Sequence, residues 1–337
     1  MKTLVCKKPG VLEYEEREKP VLSGGQAIIK IERIGVCGTD LHAFEGTQPY
    51  FSYPRVLGHE LSGELMEIDG SQTYTIGDKV TFVPYFPCGH CIACRMGNTN
   101  CCVNIRGAGV HIDGGMTTYL SVPTRSLVKG YDLDPDELAL VEPFAIGAHA
   151  VNRAAIRKGE FVLVTGAGPI GMATMELADI AGGVVIAMDV IEQRLAFCRE
   201  ALKIEHVVNA KDNPEEKIKK ITDGDMPTVV IDASGNRNAI MKNFQMLAHG
   251  GRIVLAGIQK EEICFSHPEF HKRETTLMSS RNAFKTDFEF VVESMRQKKI
   301  KAGRYITHRS AFSQLKKIFP GWLKPETGLI KAMVEMD

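Results

Sequence analysis

The sequence predicts an α/β protein of two domains, one mainly β with irregular loops and one doubly wound around a parallel sheet. Three observations carry that expectation. Residues 1–148 hold short β-like runs such as Ala27–Ile31 and Lys79–Val83, set between Gly- and Pro-rich turns. From about residue 150 apolar strands alternate with helical stretches of roughly 10 to 15 residues, the pattern of βαβ units. One of those strands runs into a glycine-rich turn that opens a helix. The length agrees, since 337 residues make about two domains at roughly 150 residues each.

In chain order, the expected parallel strands are Phe161–Thr165, Val184–Asp189, His206–Asn209, Thr228–Asp232, Arg252–Ala256 and Thr276–Ser280. A helix is expected over Thr286–Lys299, followed by β-like pieces at Tyr305–Thr307 and Ile330–Val334. The end pieces are too short for a third domain and are expected to complete the first. Residues 1–148 with 300–337 then form one domain and 149–299 the other. Lys+Arg and Asp+Glu balance at 41 each, which removes the electrostatic basis for holding nucleic acid. No apolar stretch approaches the ~20 residues of a membrane span, and the N-terminus lacks a signal-peptide pattern, so a cytoplasmic protein is expected.

The turn reads Gly166-Ala-Gly168-Pro169-Ile170-Gly171 between a strand and a helix. Gly166 permits the tight turn, Gly168 lets backbone approach a pyrophosphate, and Gly171 lets helix and strand pack closely, while the helix N-terminus favours an anion. The next strand ends in Asp189, 18 residues after Gly171, where a Rossmann fold binds an adenosine ribose. A carboxylate there repels a 2′-phosphate, so NAD is expected over NADP. Arg194 either flanks the adenine or ribose, or is a solvated helix charge.

Five of the nine cysteines fall between Cys88 and Cys102. Cys88, Cys91, Cys94 and Cys102 have the spacing C-x2-C-x2-C-x7-C, and four thiolates close a tetrahedral zinc shell with no open position, as a structural site requires. An iron–sulfur cluster uses similar spacing. Cys101 is a spare thiol one residue out of step.

Two further strings, Cys37-Gly-Thr39-Asp-Leu-His42 and Gly58-His59-Glu60, are too far apart to pair by spacing alone. Taken with the cysteine lobe, the glycine turn and Glu142-Pro-Phe-Ala, they resemble the zinc-dependent medium-chain alcohol dehydrogenases. The resemblance covers essentially the whole chain, in order, and is nearest to the sorbitol dehydrogenase branch, where Glu142-Pro143 stands in place of a cysteine-type ligand. Phe51–Glu60, Gly109–Gly115, Glu142–Ile146 and His267–Asn282 are similar to bacterial dehydrogenases of hexonates such as L-galactonate and L-gulonate.

The resemblance implies a GroES-like first domain, a Rossmann second domain, and one catalytic and one structural zinc per chain. It assigns Cys37, His59 and Glu60 to the catalytic ion, with Glu142 as a ligand or hydrogen-bond acceptor near it, and Thr39 and His42 to a proton relay. The implied reaction is hydride transfer to NAD from a secondary hydroxyl of a polyol or sugar acid, in the cleft between the domains. A threonine or butanediol dehydrogenase-like enzyme, or a silent NAD-binding redox sensor, are the alternatives. A homo-oligomer, dimer or tetramer, is implied as well. His267-Pro-Glu-Phe-His271 places two histidines four apart, but Pro268 disfavours a regular helix, so a surface or interface loop is expected.

The catalytic set contains one protein ligand too many for a Lewis-acid site, which needs an exchangeable position. A thiolate and one carboxylate already neutralise Zn2+, and a second carboxylate would leave the site anionic. The sequence therefore predicts that one glutamate stands off the metal part of the time, Glu142 rather than Glu60.

Overall fold

The computed structural model describes residues 1–48 and 51–337. The chain divides into two compact units, Met1–Glu142 with Ala283–Asp337, and Pro143–Asn282.

The first unit is organised by the strand Gln26–Val36, whose β-branched run Ile28, Ile29 and Ile31 is buried. It pairs antiparallel with Glu60–Ile68 and with the C-terminal Lys331–Glu335 in a seven-stranded sheet. Gly35 lies opposite Glu60, and Val36 opposite Ala332, so both flanking strands begin at the same end of the central one. The core joins Leu4, Ile29, Leu61, Leu65 and Phe82 to the C-terminal Phe312, Phe319 and Trp322. The helix Lys285–Arg296 belongs to this unit, whereas the sequence places it with the nucleotide-binding domain. Its last turn fixes it there: Arg296 pairs with Asp132 at 2.8 Å and stacks over Tyr131.

The second unit carries six parallel strands, Phe161–Thr165, Val184–Asp189, His206–Asn209, Val229–Asp232, Arg252–Leu255 and Thr276–Ser279. Counted along the chain their spatial order is 3-2-1-4-5-6, a doubly wound sheet whose order reverses beside Phe161–Thr165. The inner strands are almost continuously apolar because helices cover both faces, and Leu163, Ile186, Val230 and Ile253 meet in one cluster. The loop expected around Pro268 is instead a short helix, His267–Lys272. Pro268 sits in its first turn, where the missing N–H has no intrahelical partner to lose.

Candidate metal centres and nucleotide turn

The scattered residues of the first unit converge. Cys37 caps the helix Gly38–Glu45, and its backbone N–H donates to Asp40 Oδ2 at 3.0 Å in a capping box. The other oxygen of Asp40 accepts from Gly58 N at 3.1 Å, so one buried carboxylate ties the Cys37 turn to the Gly58-His59 turn. Sγ of Cys37, a ring nitrogen of His59 and a carboxylate oxygen of Glu60 lie within 4.8 Å of one another. His59 Nδ1 is buried without a hydrogen-bond partner and stands 3.7 Å from Asp40 Oδ1. The ring also faces the Cys37 side chain, and against the cost of burial the charges of Asp40 and Cys37 favour its protonated form. A soft thiolate, an imidazole backed by a carboxylate and a second carboxylate form a donor set that suits zinc.

Around this cluster the charges are unusually dense. Both oxygens of Glu60 accept from Lys331 Nζ at 2.6 Å, and both residues are buried. The pair fits because Gly35 lies between them in the sheet: a Cβ there would stand 2.3 Å from Glu60 Oε2. Glu142, in the first turn of the helix Val141–Ala154, is buried and accepts a hydrogen bond from the Tyr85 hydroxyl. Burial, with the charge of Glu60, pushes the Glu142 carboxyl up to about 7, against the pull of His59 and the Tyr85 bond. Burial opposes a charge on Lys331 too, but Glu60 and Cys37 outweigh it and hold the ammonium above its usual range. Thr39 lies in the first turn of the Cys37-capped helix. His42 lies on the same helix, is exposed, and its Nδ1 contacts Glu45 at 3.2 Å and Thr47 at 3.3 Å.

The sulfur atoms of Cys88, Cys91, Cys94 and Cys102 form a second cluster, again within 4.8 Å of one another. Backbone N–H groups of Cys94 and Val103 draw the Cys91 thiol down to about 6, while lost solvation and the neighbouring Cys91 push Cys94 up to about 12. Four thiols so close cannot all ionise without a cation among them, and they fit a closed zinc shell. Cys101 is exposed and outside the cluster.

In the second unit Gly166 has φ +97°, and a Cβ on Gly171 would stand 1.8 Å from Gly166 O. Gly168 caps the helix Pro169–Ile180, and a Cβ on it would meet only Arg194 Nη1, at 4.0 Å. The space above the helix N-terminus, edged by a guanidinium, fits a pyrophosphate. Pro169 and Ile170 form the first helical turn. Asp189 ends its strand with Oδ2 accepting from Ala167 N at 2.6 Å and Oδ1 from Ile191 N at 2.8 Å, so the same carboxylate that would meet a ribose also braces the glycine turn.

Comparison with known proteins agrees with this geometry. Residues 23–132 match the alcohol dehydrogenase GroES-like domain, and residues 169–297 the zinc-binding dehydrogenase domain. L-galactonate-5-dehydrogenase of Escherichia coli (strain K12) is 41% identical over 99% of this chain and 98% of its own. The chain belongs to the zinc-dependent medium-chain alcohol dehydrogenases. Sorbitol dehydrogenase of Halalkalibacterium halodurans is 31% identical over 95% of both chains. A solved alcohol dehydrogenase from Escherichia coli CFT073, in complex with NADH, superposes with a TM-score of 0.93 at 29% identity, covering 99% of each chain.

This dehydrogenase is thus an oxidoreductase acting on hydroxyl groups, and no helix among its described residues is long and apolar enough to cross a membrane. Three of its site residues escape the sequence reading. Asp40 stands inside a string already singled out, and its offset of three from the capping Cys37 was the available signal. Lys331 is distant from every motif, and the pairing of its strand with Gln26–Val36 brings it to Glu60. Tyr85 lies three residues before Cys88, but nothing in that motif points to its hydrogen bond with Glu142.

Proposed function

We propose that this dehydrogenase oxidises a secondary hydroxyl of an acyclic sugar acid, a hexonate of the L-galactonate or L-gulonate kind, with NAD as hydride acceptor. The observation that carries the reading is the convergence of the half-buried Cys37 with the buried His59 and Glu60 beside Glu142, in a chain 41% identical to a hexonate dehydrogenase. Zinc, when bound, supplies Lewis acidity at the substrate hydroxyl, and NAD takes the hydride from the carbon that bears it.

The chain's own residues do the rest. Cys37, His59 and Glu60 hold the catalytic ion, and Asp40 fixes the orientation of the His59 ring. Thr39 accepts the hydroxyl proton and passes it on, and the exposed His42 delivers it to solvent. The alcohol thereby yields a ketone, NADH and one proton. Gly166, Gly168, Pro169, Ile170 and Gly171 receive the pyrophosphate, Asp189 the adenosine ribose, and Arg194 flanks them. Cys88, Cys91, Cys94 and Cys102 hold the structural ion. The enzyme works in the cytoplasm as a homo-oligomer, a dimer or tetramer, which light scattering would measure.

Turnover of NAD with hexonates, polyols, threonine, butanediol and ethanol tests the reading. A hexonate is expected to exceed ethanol in kcat/KM by ~100-fold or more, since a site built for hydroxyl and carboxylate groups rejects ligands that lack them. Highest kcat/KM for threonine or butanediol would favour that branch, and tight NAD binding without turnover of any member would favour a sensor.

A further inference from the structure

Glu142 poses a question that the metal ligands alone do not answer. It is buried, carries a carboxylate, and is close enough to feel the charges of His59, Glu60 and Lys331, yet it stands outside the three-donor cluster. Charge balance does not keep it there. Lys331 cancels the charge of Glu60, so an ion held by Cys37 and Glu60 still attracts a further carboxylate. The expectation that a second carboxylate would overload the site takes no account of this buried ammonium. A specific contact must therefore restrain Glu142, and the Tyr85 hydroxyl makes one by donating to Glu142 Oε1.

Tyr85 is well placed to act as an anchor. It belongs to a two-stranded ribbon in which Tyr85 pairs with Gly107 and Phe86 with Arg106. That ribbon is the stem of the cysteine lobe, since Cys88 follows one strand and Cys102 precedes the other. A closed metal site at the tip thus fixes the stem from which the phenol reaches Glu142.

We infer that Tyr85 is a positioning residue that holds the Glu142 carboxylate off the catalytic metal and so keeps one coordination position exchangeable. The inference rests on the proposed catalytic zinc site. Tyr85→Phe removes one oxygen and releases Glu142 towards the ion. In the zinc-loaded full chain the variant is expected to surrender its catalytic zinc to a chelator roughly tenfold more slowly, and to lose roughly tenfold in kcat with KM little changed, the scale of a charge-assisted hydrogen bond. The visible spectrum of the Co2+-substituted protein should shift as a carboxylate joins the shell. All three effects should vanish when Tyr85→Phe is made in a Glu142→Gln background. Additive losses in the double variant, or zinc release and a cobalt spectrum unchanged from wild type, would overturn the inference. Should the wild type oxidise no hydroxyl substrate, the proposed function fails separately, because zinc release and the cobalt spectrum still report on Tyr85.

Discussion

The two units solve the problem of building a site in opposite ways. In the second unit the glycine turn is local: Gly166, Gly168, Gly171 and Asp189 lie on consecutive elements, and the turn presents backbone at a helix N-terminus rather than buried charged side chains. In the first unit the candidate metal donors come from distant stretches of chain and are surrounded by charged side chains inside the protein, with Asp40, Glu60, Glu142 and Lys331 all buried. A site made of backbone dipoles tolerates changes at its edge, whereas a site made of buried charges is expected to fail abruptly when one member is removed.

The sharpest way to break that contrast is at the metal ligands. His59→Ala and Cys37→Ser are each expected to lose the catalytic zinc and at least ~1000-fold in kcat/KM together, because a Lewis acid with two donors is not retained. Metal analysis should fall from close to two zinc ions per chain to close to one. Retention of both ions would refute the ligand assignment.

Lys331→Met leaves Glu60 as an uncompensated buried carboxylate, and breaking a buried pair costs ~3–5 kcal/mol. The loss is expected to be full in the chelator-stripped protein and smaller with zinc present, since the ion then faces the freed carboxylate. Denaturant melts with and without chelator measure the difference. Equal losses in both would show that Glu60 answers to Lys331 alone.

The cysteine lobe combines both designs, with local spacing but thiolate charges. Cys91→Ser is expected to release the structural zinc and lower Tm by ~5–10 °C, while changing kcat less than His59→Ala does. A fully stable variant with both metals bound would sink the structural site.

In the second unit, Asp189→Ser should shift the ratio of the kcat/KM values for NADP and NAD by ~10- to 100-fold towards NADP. The carboxylate also accepts from Ala167 N and Ile191 N, so the change should lower NAD efficiency more than it raises that of NADP. A wild type that already prefers NADP would contradict the role of Asp189.

The same contrast governs what was legible in the sequence. The parallel strands, the glycine turn and the four-cysteine spacing are local patterns, and residue types at fixed offsets specify them. Cys37, His59, Glu60 and Glu142 were found only through the family likeness, since nothing in their spacing brings them together. Lys331 and Tyr85 lay beyond both, because a lysine in a C-terminal strand and a tyrosine three residues before Cys88 carry no signal until the fold sets them against Glu60 and Glu142. Pro268 misled for a related reason: a proline breaks a helix interior but suits its first turn, and the difference is only where the helix starts.

The smallest effect is expected at an ion pair of the second unit that is ordinary by comparison with Lys331 and Glu60. Arg252 meets Glu160 at 2.6 Å, and the same guanidinium donates to the Ala154 and Ala155 carbonyls that end the helix Val141–Ala154. The hydrogen bond from Arg252, aided by Arg157 N and Thr228, lowers the Glu160 carboxyl from 4.5 to about 2. A carboxyl lowered by folding stabilises the native state above its unfolded value, and that contribution fades as pH falls from about 4.5 through about 2. The pair is partly open to solvent, so Glu160→Gln should cost only ~1 kcal/mol at pH 7. The gap between variant and wild type should narrow progressively below pH 4.5. Arg252→Ala should cost more at every pH, because it also strips the helix end of its donor. A Glu160→Gln deficit that persists undiminished at pH 2 would show that packing, not the carboxylate's charge, holds this corner of the unit.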